Sequence, residues 1–238
     1  MGGMPDDVTL LEGMATTRAI RRYRPEPVPD DDLATMLFAA TRAPTGSNRQ
    51  PFRFIVLRDG PNAVKAKRLL GDAAAAMWSG KRATDGYDER SGQEPDSPKA
   101  RMARTMQHYC DHLADVPVVV LACMVRYRGP NLTEGASIYP ACQNLLLAAR
   151  ALGYGGVLTG LQGFADHKLR QLLGIPEDVF IAATITIGRP VGHHGPVRRR
   201  PLAELVYDDG WEQPAPWAVD PPGTRFTSAG PPIRTAGR

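Results

Sequence analysis

Two basic segments and one polar loop hold the side chains best suited to binding a charged ligand. The first basic segment, Thr17–Tyr23, reads Thr-Arg-Ala-Ile-Arg-Arg-Tyr, and the second is Arg198–Arg200. The loop, Ala43–Phe52, reads Ala-Pro-Thr-Gly-Ser-Asn-Arg-Gln-Pro-Phe and joins an apolar helix pattern to an apolar strand pattern. Guanidinium groups and hydroxyls are well suited to binding a phosphate dianion. The sequence therefore predicts a cradle for a phosphorylated, planar ligand, assembled from distant segments.

The elements that must position these segments are helices and strands in irregular alternation. Helical spacing of apolar residues predicts helices over 9–18, 30–43, 61–76, 101–113, 137–152 and 166–173. Apolar or alternating runs predict strands over 52–57, 116–125, 154–160 and 180–188. Because no regular βαβ repeat occurs, we expect the α+β class, with a mixed or antiparallel central sheet flanked by helices. One domain should cover 9–207.

Two stretches depart from this pattern. The stretch 79–100 is polar and rich in Gly, Asp, Ser and Pro, which is typical either of a surface loop or of a mobile lid, and we expect a lid over 79–106. The stretch 208–238 contains Trp211 and Trp217 but many prolines and glycines and no periodicity. It cannot build a core of its own, so it is either a loose tail or an arm that lies on a neighbouring molecule.

Composition excludes several classes of protein. The chain of 238 residues has a mild net charge of +4 and no run of eighteen apolar residues, so we expect no membrane span. The start lacks the order of a signal peptide, and three scattered cysteines do not suggest a disulfide framework or a zinc site, so we expect a cytoplasmic protein. The arginine clusters are short and accompany no nucleic-acid-binding motif, so we expect no nucleic-acid partner.

Side chains that perform chemistry by themselves are scarce. The HExxH, P-loop, GxSxG and GxGxxG patterns are absent. His193 and His194 adjoin in a glycine-flanked turn, and His108 and His112 share a helix face. No third ligand accompanies either pair, so a solvated turn and exposed or hydrogen-bonded histidines are favoured over metal sites. With no catalytic side chain and no metal expected, the residues suit a cofactor that brings its own reactivity.

Five segments, taken in order, resemble the FMN-dependent nitroreductase family. They are Thr17–Tyr23, Ala43–Phe52, Tyr139–Ala149, Leu152–Gly160, and the closing pair Ile187–Pro190 and Arg199–Val206. The resemblance runs from about Leu11 to Val206. It implies a nitroreductase-like fold that binds FMN non-covalently, in a homodimer of the domain-swapped type whose two subunits both line each site.

The resemblance also implies which residues hold FMN. Those facing the phosphate and ribityl end would be Thr17, Arg18, Ala19 and Arg21, with Arg21 placing charge near the flavin. Those lying along the ring or phosphate, in part from the partner subunit, would be Pro44, Thr45, Gly46, Ser47 and Asn48. Those at the ring, where a backbone N–H reaches flavin N5, would be Leu158, Thr159 and Gly160. One or more of Arg198, Arg199 and Arg200 would return to the phosphate.

The first basic segment departs from the family pattern. Family members often have Arg where Thr17 stands and Ser where Ala19 stands. One charge and one hydroxyl are then lost here, so Arg22 or the later arginines would compensate.

In function, the resemblance implies an NAD(P)H-dependent nitroreductase. NADPH or NADH would pass a hydride to flavin N5, and an electron-poor aromatic acceptor such as a nitroaromatic or quinone would then take its place in a ping-pong cycle. Three alternatives stay open. They are an FMN-dependent reductive dehalogenase, a flavin-cleaving enzyme of the same fold, and a non-catalytic FMN carrier. The dehalogenase would need a glutamate in its lid with a tyrosine four residues later, and neither Glu89 nor Glu94 is followed by a tyrosine at that distance.

Overall fold

The computed structural model describes residues 8–227, which divide after His194 into two compact units. The first unit holds every α-helix and β-strand of the described chain. The helices are α1 (Leu10–Thr16), α2 (Asp30–Thr41), α3 (Pro61–Thr84), α4 (Pro98–Asp111), α5 (Tyr139–Ala151) and α6 (Asp166–Leu173). The strands are β1 (Phe52–Leu57), β2 (Val118–Val125), β3 (Gly155–Thr159) and β4 (Val179–Gly188).

The four strands form one sheet in the order β1-β2-β4-β3, and each neighbouring pair is antiparallel. Strand β2 is buried along nearly its whole length, which explains its unbroken apolar sequence. Val118 and Val120 belong to one core, whereas Val119 and Leu121 belong to the other. The sheet thus separates two hydrophobic cores, and the predicted α+β class is confirmed.

Helices cover both faces of this sheet. Buried residues of α2 and α5, among them Met36 and Leu145, form the core on one face. Buried residues of α3, α4 and α6, among them Leu70, Tyr109 and Leu169, form the core on the other face. The first basic segment lies at the β3 edge of this sheet, through the bridge from Ala19 to Gly156, whereas the polar loop leads into β1 at the opposite edge.

The segment after residue 76 is more regular than its composition indicates. Helix α3 continues to Thr84, and α4 begins at Pro98, where the Ser97 hydroxyl accepts a hydrogen bond from the Ala100 N–H at 3.0 Å. Trp78 explains the longer helix, because its side chain is only 2% exposed and joins the core. The prediction of an irregular stretch over 79–100 was therefore wrong for its first six residues and for its last three.

The second unit is described over residues 195–227. Short backbone bridges join Arg199 to Phe226 and Tyr207 to Pro214, and the Trp217 indole N–H donates to Asp208 at 2.9 Å. These contacts give the segment local order, while its role as an arm and the predicted boundary at residue 207 stay predictions. None of the helices in the described part of the chain is long and apolar enough to cross a membrane.

Candidate functional site

The first basic segment lies along the free edge of β3. Ala19 forms a parallel bridge with Gly156, and the Ile20 N–H donates to the Gly156 carbonyl at 3.0 Å. A Cβ atom at Gly155 would stand 2.5 Å from Cγ1 of Ile20, which is too close for two carbon atoms. Glycine at this position is what permits the close approach of the two backbones. The sequence Gly155-Gly156 therefore positions the arginines.

Arg21 borders a cavity of about 330 Å³, here named the chamber. The chamber is defined by Arg21, Trp78, Tyr87, Met106, Thr159 and Gly160. The Nε atom of Arg21 is buried and has no hydrogen-bond partner among the described residues. A buried guanidinium N–H without an acceptor is costly, so this atom is suited to an acceptor on a ligand. Three of the predicted FMN-binding residues thus meet here.

Most of the remaining wall of the chamber is apolar and comes from α3, α4 and the turn between them, with Lys81 as a charged exception. Met77 and Met102 add to Met106, and the rings of Trp78 and Tyr87 lie edge to face with centroids 4.9 Å apart. Thioether and aromatic side chains of this kind pack well against a flat aromatic ligand. The stretch predicted as a lid therefore supplies part of the chamber wall.

Two buried tyrosines, which the sequence reasoning missed, fix the basic segment to β4. The Thr186 Oγ1 atom lies 2.8 Å from the Tyr23 hydroxyl and 3.1 Å from the Tyr109 hydroxyl. Burial raises the pKa of Tyr109 to about 12 and also raises the pKa of Tyr23. Both hydroxyls therefore stay neutral and leave the charge of Arg21 uncompensated. The two threonines Thr184 and Thr186 within the apolar run of β4 were the available sequence signal.

His194 also differs from its prediction as a solvated turn residue. Its Nδ1 atom accepts a hydrogen bond from the Arg18 N–H at 3.2 Å, and its Nε2 atom lies 3.0 Å from the Tyr154 carbonyl oxygen. Partial burial, together with the nearby Arg150 and Arg18, lowers the pKa of this imidazole. His193 is exposed, as predicted. A neutral His194 therefore joins the basic segment to the residue before β3.

The polar loop after α2 borders a second cavity, of about 340 Å³. Pro44, Thr45 and Gly46 line it together with Arg126 and Glu134. The Arg126 guanidinium donates two hydrogen bonds to the Glu134 carboxylate, at 2.7 and 2.8 Å. Arg21 lines the chamber but not this second cavity, and the loop residues line the second cavity but not the chamber. A single chain thus keeps the two predicted binding segments apart.

Strain marks the tip of that loop. Ser47, Asn48 and Gln50 have φ angles of 53°, 50° and 49°, in the left-handed region that non-glycine residues rarely adopt. Such strain often accompanies ligand-binding loops. The Thr45 hydroxyl accepts a hydrogen bond from the Gln50 N–H at 3.1 Å and helps to hold this conformation. Ser47 and Asn48 are exposed.

The other predicted residues have varied surroundings. The Thr17 hydroxyl donates to the Gly13 carbonyl at 2.6 Å, so it is already engaged at the end of α1. Leu158 is 39% exposed. Arg198, Arg199 and Arg200 belong to the second unit, where Arg199 joins the bridge to Phe226 and Arg200 pairs with Glu204 at 2.6 Å.

His108, on α4, and His112, which directly follows the helix, lie side by side as predicted. The rings of His108 and His112 have centroids 4.3 Å apart, and His112 Nδ1 lies 3.2 Å from Asp115. Within residues 8–227, no group of three or more His, Cys, Asp or Glu side chains is placed to hold a metal ion. The three cysteines are buried, and burial raises each of their pKa values to about 11.

Comparison with known proteins agrees with this architecture. The family model described as "Nitroreductase family" matches residues 14–189. An NADH dehydrogenase of Thermus thermophilus is 30% identical over 207 residues, which cover 79% of this chain and 90% of that protein. A nitroreductase-like protein of Desulfovibrio desulfuricans, crystallised in complex with FMN, has 29% identity and a TM-score of 0.60, over 84% of this chain and 96% of that one.

A more distant structure matches the fold alone. The NADPH:FMN oxidoreductase of Vibrio harveyi, complexed with NAD⁺, has 19% identity and a TM-score of 0.62, over 85% of this chain and 78% of that one. The family match covers most of the first unit, including the first basic segment, the polar loop and the β3 edge. This chain therefore belongs to the nitroreductase family of oxidoreductases.

Proposed function

We propose that this protein is an FMN-dependent enzyme that takes electrons from NADPH or NADH and reduces electron-poor aromatic acceptors such as nitroaromatics and quinones. The observation that supports this most strongly is Arg21, which lines the chamber and whose buried Nε atom has no hydrogen-bond partner among residues 8–227. When bound, FMN would supply the reversible hydride chemistry that the side chains of this site do not provide. The relatives named above support the same cofactor class.

The residues around the chamber fit a flavin ring in chemistry as well as in shape. Arg21 would donate to the polar edge of the ring, where positive charge stabilises the negative charge that develops on reduction. Backbone groups of Leu158, Thr159 and Gly160 would line the reactive edge of the ring. Because Ala19 offers no hydroxyl, phosphate binding would rest on Thr17, Arg18 and one or more of the later arginines, Arg198, Arg199 and Arg200.

The apolar wall of the chamber supports an aromatic acceptor. Methionine and aromatic side chains hold a planar ring without requiring specific hydrogen bonds, which suits several acceptors of similar shape. One chamber would then receive the donor and the acceptor in turn. This arrangement predicts ping-pong kinetics, with the 79–106 stretch deciding which acceptors enter.

A second copy of the chain completes the site in this proposal. Leu10 and Phe38 are 67% and 63% exposed and line a groove of about 510 Å³ between α1, α2 and α5, and Leu11, the next residue of α1, is 77% exposed. Exposed apolar surface of this kind marks a protein interface. A homodimer formed here would bring Pro44, Thr45, Gly46, Ser47 and Asn48 of the partner to the ring, which would explain why one chain separates them from Arg21.

The proposal is tested by following the two half-reactions separately under anaerobic conditions. Protein loaded with FMN should lose its visible flavin absorbance on addition of NADPH or NADH, and a nitroaromatic or quinone should restore it. If neither donor bleaches bound FMN, the protein is a carrier and the proposal is wrong. If the donor bleaches FMN but no such acceptor restores it, the acceptor class is wrong.

A further inference from the structure

A small basic cleft shares the residue Arg21 with the chamber. It has a volume of about 170 Å³, and Arg21 lines both spaces. The basic cleft is defined by Arg21, Arg22, Tyr23, His108, His112 and Asp115. Four of these six side chains are basic. Since the two spaces share a guanidinium, a ligand in the chamber can extend a charged group toward the cleft.

The positive charge in the cleft is only partly neutralised. Neither Arg21 nor Arg22 forms a salt bridge with a described residue. Asp115 is the acidic residue of the lining, and it pairs with His112. Desolvation, followed by the proximity of His112 and Arg22, lowers the pKa of His108. His108 is therefore a neutral hydrogen-bond donor, and the positive charge of the cleft comes from Arg21 and Arg22. An anion bound between these two guanidinium groups would relieve their mutual repulsion.

The other basic side chain that borders the chamber is already paired. Lys81 forms an ion pair with Asp85 at 2.5 Å. Among the described residues at the chamber and the cleft, Arg21 and Arg22 are therefore less neutralised than Lys81.

The position of the cleft separates it from the expected FMN phosphate site. That phosphate is expected near Thr17 and Arg18. The family resemblance offers Arg22 as a substitute for the charge missing at Thr17, but Arg22 and Tyr23 lie at the opposite end of the same segment. Ala19 and Tyr23 each form a backbone bridge with the sheet region, so the segment is stretched along it. Four residues of extended chain span about 13 Å. The cleft is thus placed for a second phosphate, beyond the edge of the ring that Arg21 would hold.

We propose that the basic cleft binds the 2′-phosphate of NADPH, with Arg22 as the residue that distinguishes NADPH from NADH. This inference rests on the proposed function, since it assigns the donor of the same reaction. The guanidinium of Arg22 and the imidazole N–H groups of His108 and His112 supply the charge-assisted hydrogen bonds that a phosphate dianion requires. NADH lacks that phosphate and gains nothing from the cleft.

The test compares Arg22→Gln with Arg24→Gln in the FMN-loaded enzyme. Arg24 is an exposed arginine directly after the first basic segment, two positions beyond Arg22, and it does not line the cleft. Removal of one charge-assisted phosphate contact should raise KM for NADPH about tenfold in Arg22→Gln. KM for NADH serves as the internal reference and should change little. Arg24→Gln should leave the ratio of the two KM values unchanged.

Binding measurements give a readout that does not depend on turnover. Calorimetric titration should show that NADP⁺ binds more tightly than NAD⁺ to the wild-type protein, and that Arg22→Gln removes the difference. An unchanged donor ratio in Arg22→Gln would overturn the inference while leaving the proposed function intact. Weakened FMN binding in Arg22→Gln would assign the cleft to the flavin phosphate and would also overturn it. Failure to oxidise either donor would instead contradict the proposed function.

Discussion

The backbone N–H of Arg18 donates a hydrogen bond to Nδ1 of His194, 176 positions later in the chain, at 3.2 Å. The same imidazole lies 3.0 Å from the Tyr154 carbonyl through Nε2. A neutral ring with its proton on Nε2 satisfies both contacts, whereas a doubly protonated ring cannot accept from Arg18. The end of the first basic segment where we expect the FMN phosphate thus depends on the protonation state of one histidine.

This dependence predicts a loss of stability in mild acid. The pKa of His194 is lower in the folded protein than its ordinary value of 6.5, so the unfolded chain takes up a proton first as the pH falls. The contribution of neutral His194 to the free energy of unfolding is complete above pH 6.5 and is lost progressively below it. Thermal unfolding at pH 7.5 and at about pH 5.5 should show a smaller decrease in Tm for His194→Gln than for the wild type. The exposed neighbour provides the control, since His193→Gln should behave like the wild type; equal decreases in all three proteins would refute the prediction.

The approach of Ile20 to the β3 edge predicts that Gly155→Ala is destabilising. The new Cβ would stand 2.5 Å from Ile20 Cγ1, so the first basic segment must move away from the strand. Overpacking of this kind costs about 1–3 kcal/mol. Urea unfolding would measure this loss, and FMN affinity should fall with it because Arg21 moves too. Gly163→Ala is the matched control, because its Cβ would meet nothing within 4 Å; equal effects of the two substitutions would contradict the steric argument.

The contacts of Thr186 with Tyr23 and Tyr109 predict coupling between buried hydroxyls. Thr186→Val removes the hydroxyl that both tyrosines approach while keeping the shape of the side chain. We expect a loss of about 1–3 kcal/mol in the free energy of unfolding. In protein that already carries Tyr109→Phe, the same Thr186→Val substitution should cost less stability than in the wild type, by a coupling energy of about 1 kcal/mol. Strictly additive effects in a double-mutant cycle would show that the two hydroxyls do not interact.

The exposed apolar side chains of α1 predict a dimer that one charge can weaken. Leu11 is 77% exposed in the single chain. Burial of such a side chain contributes about 1.5–3 kcal/mol, so Leu11→Glu should weaken dimerisation at least about tenfold. Size-exclusion chromatography with light scattering would report the mass. Leu132→Glu is the control, because Leu132 is fully exposed but lies in the loop before α5. A wild-type protein that is monomeric at all concentrations would contradict the proposed interface.

Much of the fold was predictable because the spacing of apolar residues along the sequence follows which side chains are buried. Each predicted strand lies within about two residues of an observed one, since the runs on β2 and β4 are apolar along most of their length. The C-terminus of α6 was predictable for another reason, because Gly174 adopts a φ of 65° that favours glycine. Helix α3 was underestimated because its last residues are mostly polar, and only the burial of Trp78 shows why they stay helical.

The candidate site was less accessible to sequence reasoning. Motif resemblance selected Arg21, Thr159 and Gly160, which meet at the chamber. It gave no indication of Tyr109 or Thr186, because a contact between positions 77 residues apart leaves no local pattern. His194 was misjudged for the same reason, since its partners Arg18 and Tyr154 are distant in sequence. Local patterns identify residues that carry chemistry, but long-range hydrogen bonds decide how those residues are held.

The most direct test of the central claim is a fluorescence titration of FMN with the flavin-free protein. We expect quenching that saturates at one FMN per chain, and about tenfold or greater weakening in Arg21→Gln, because a charge-assisted hydrogen bond to the ring is lost. Arg58→Gln, which alters an exposed arginine paired with Asp30, should bind FMN like the wild type. No saturable quenching by the wild-type protein, or equal affinity in Arg21→Gln, would contradict the assignment of the chamber to FMN.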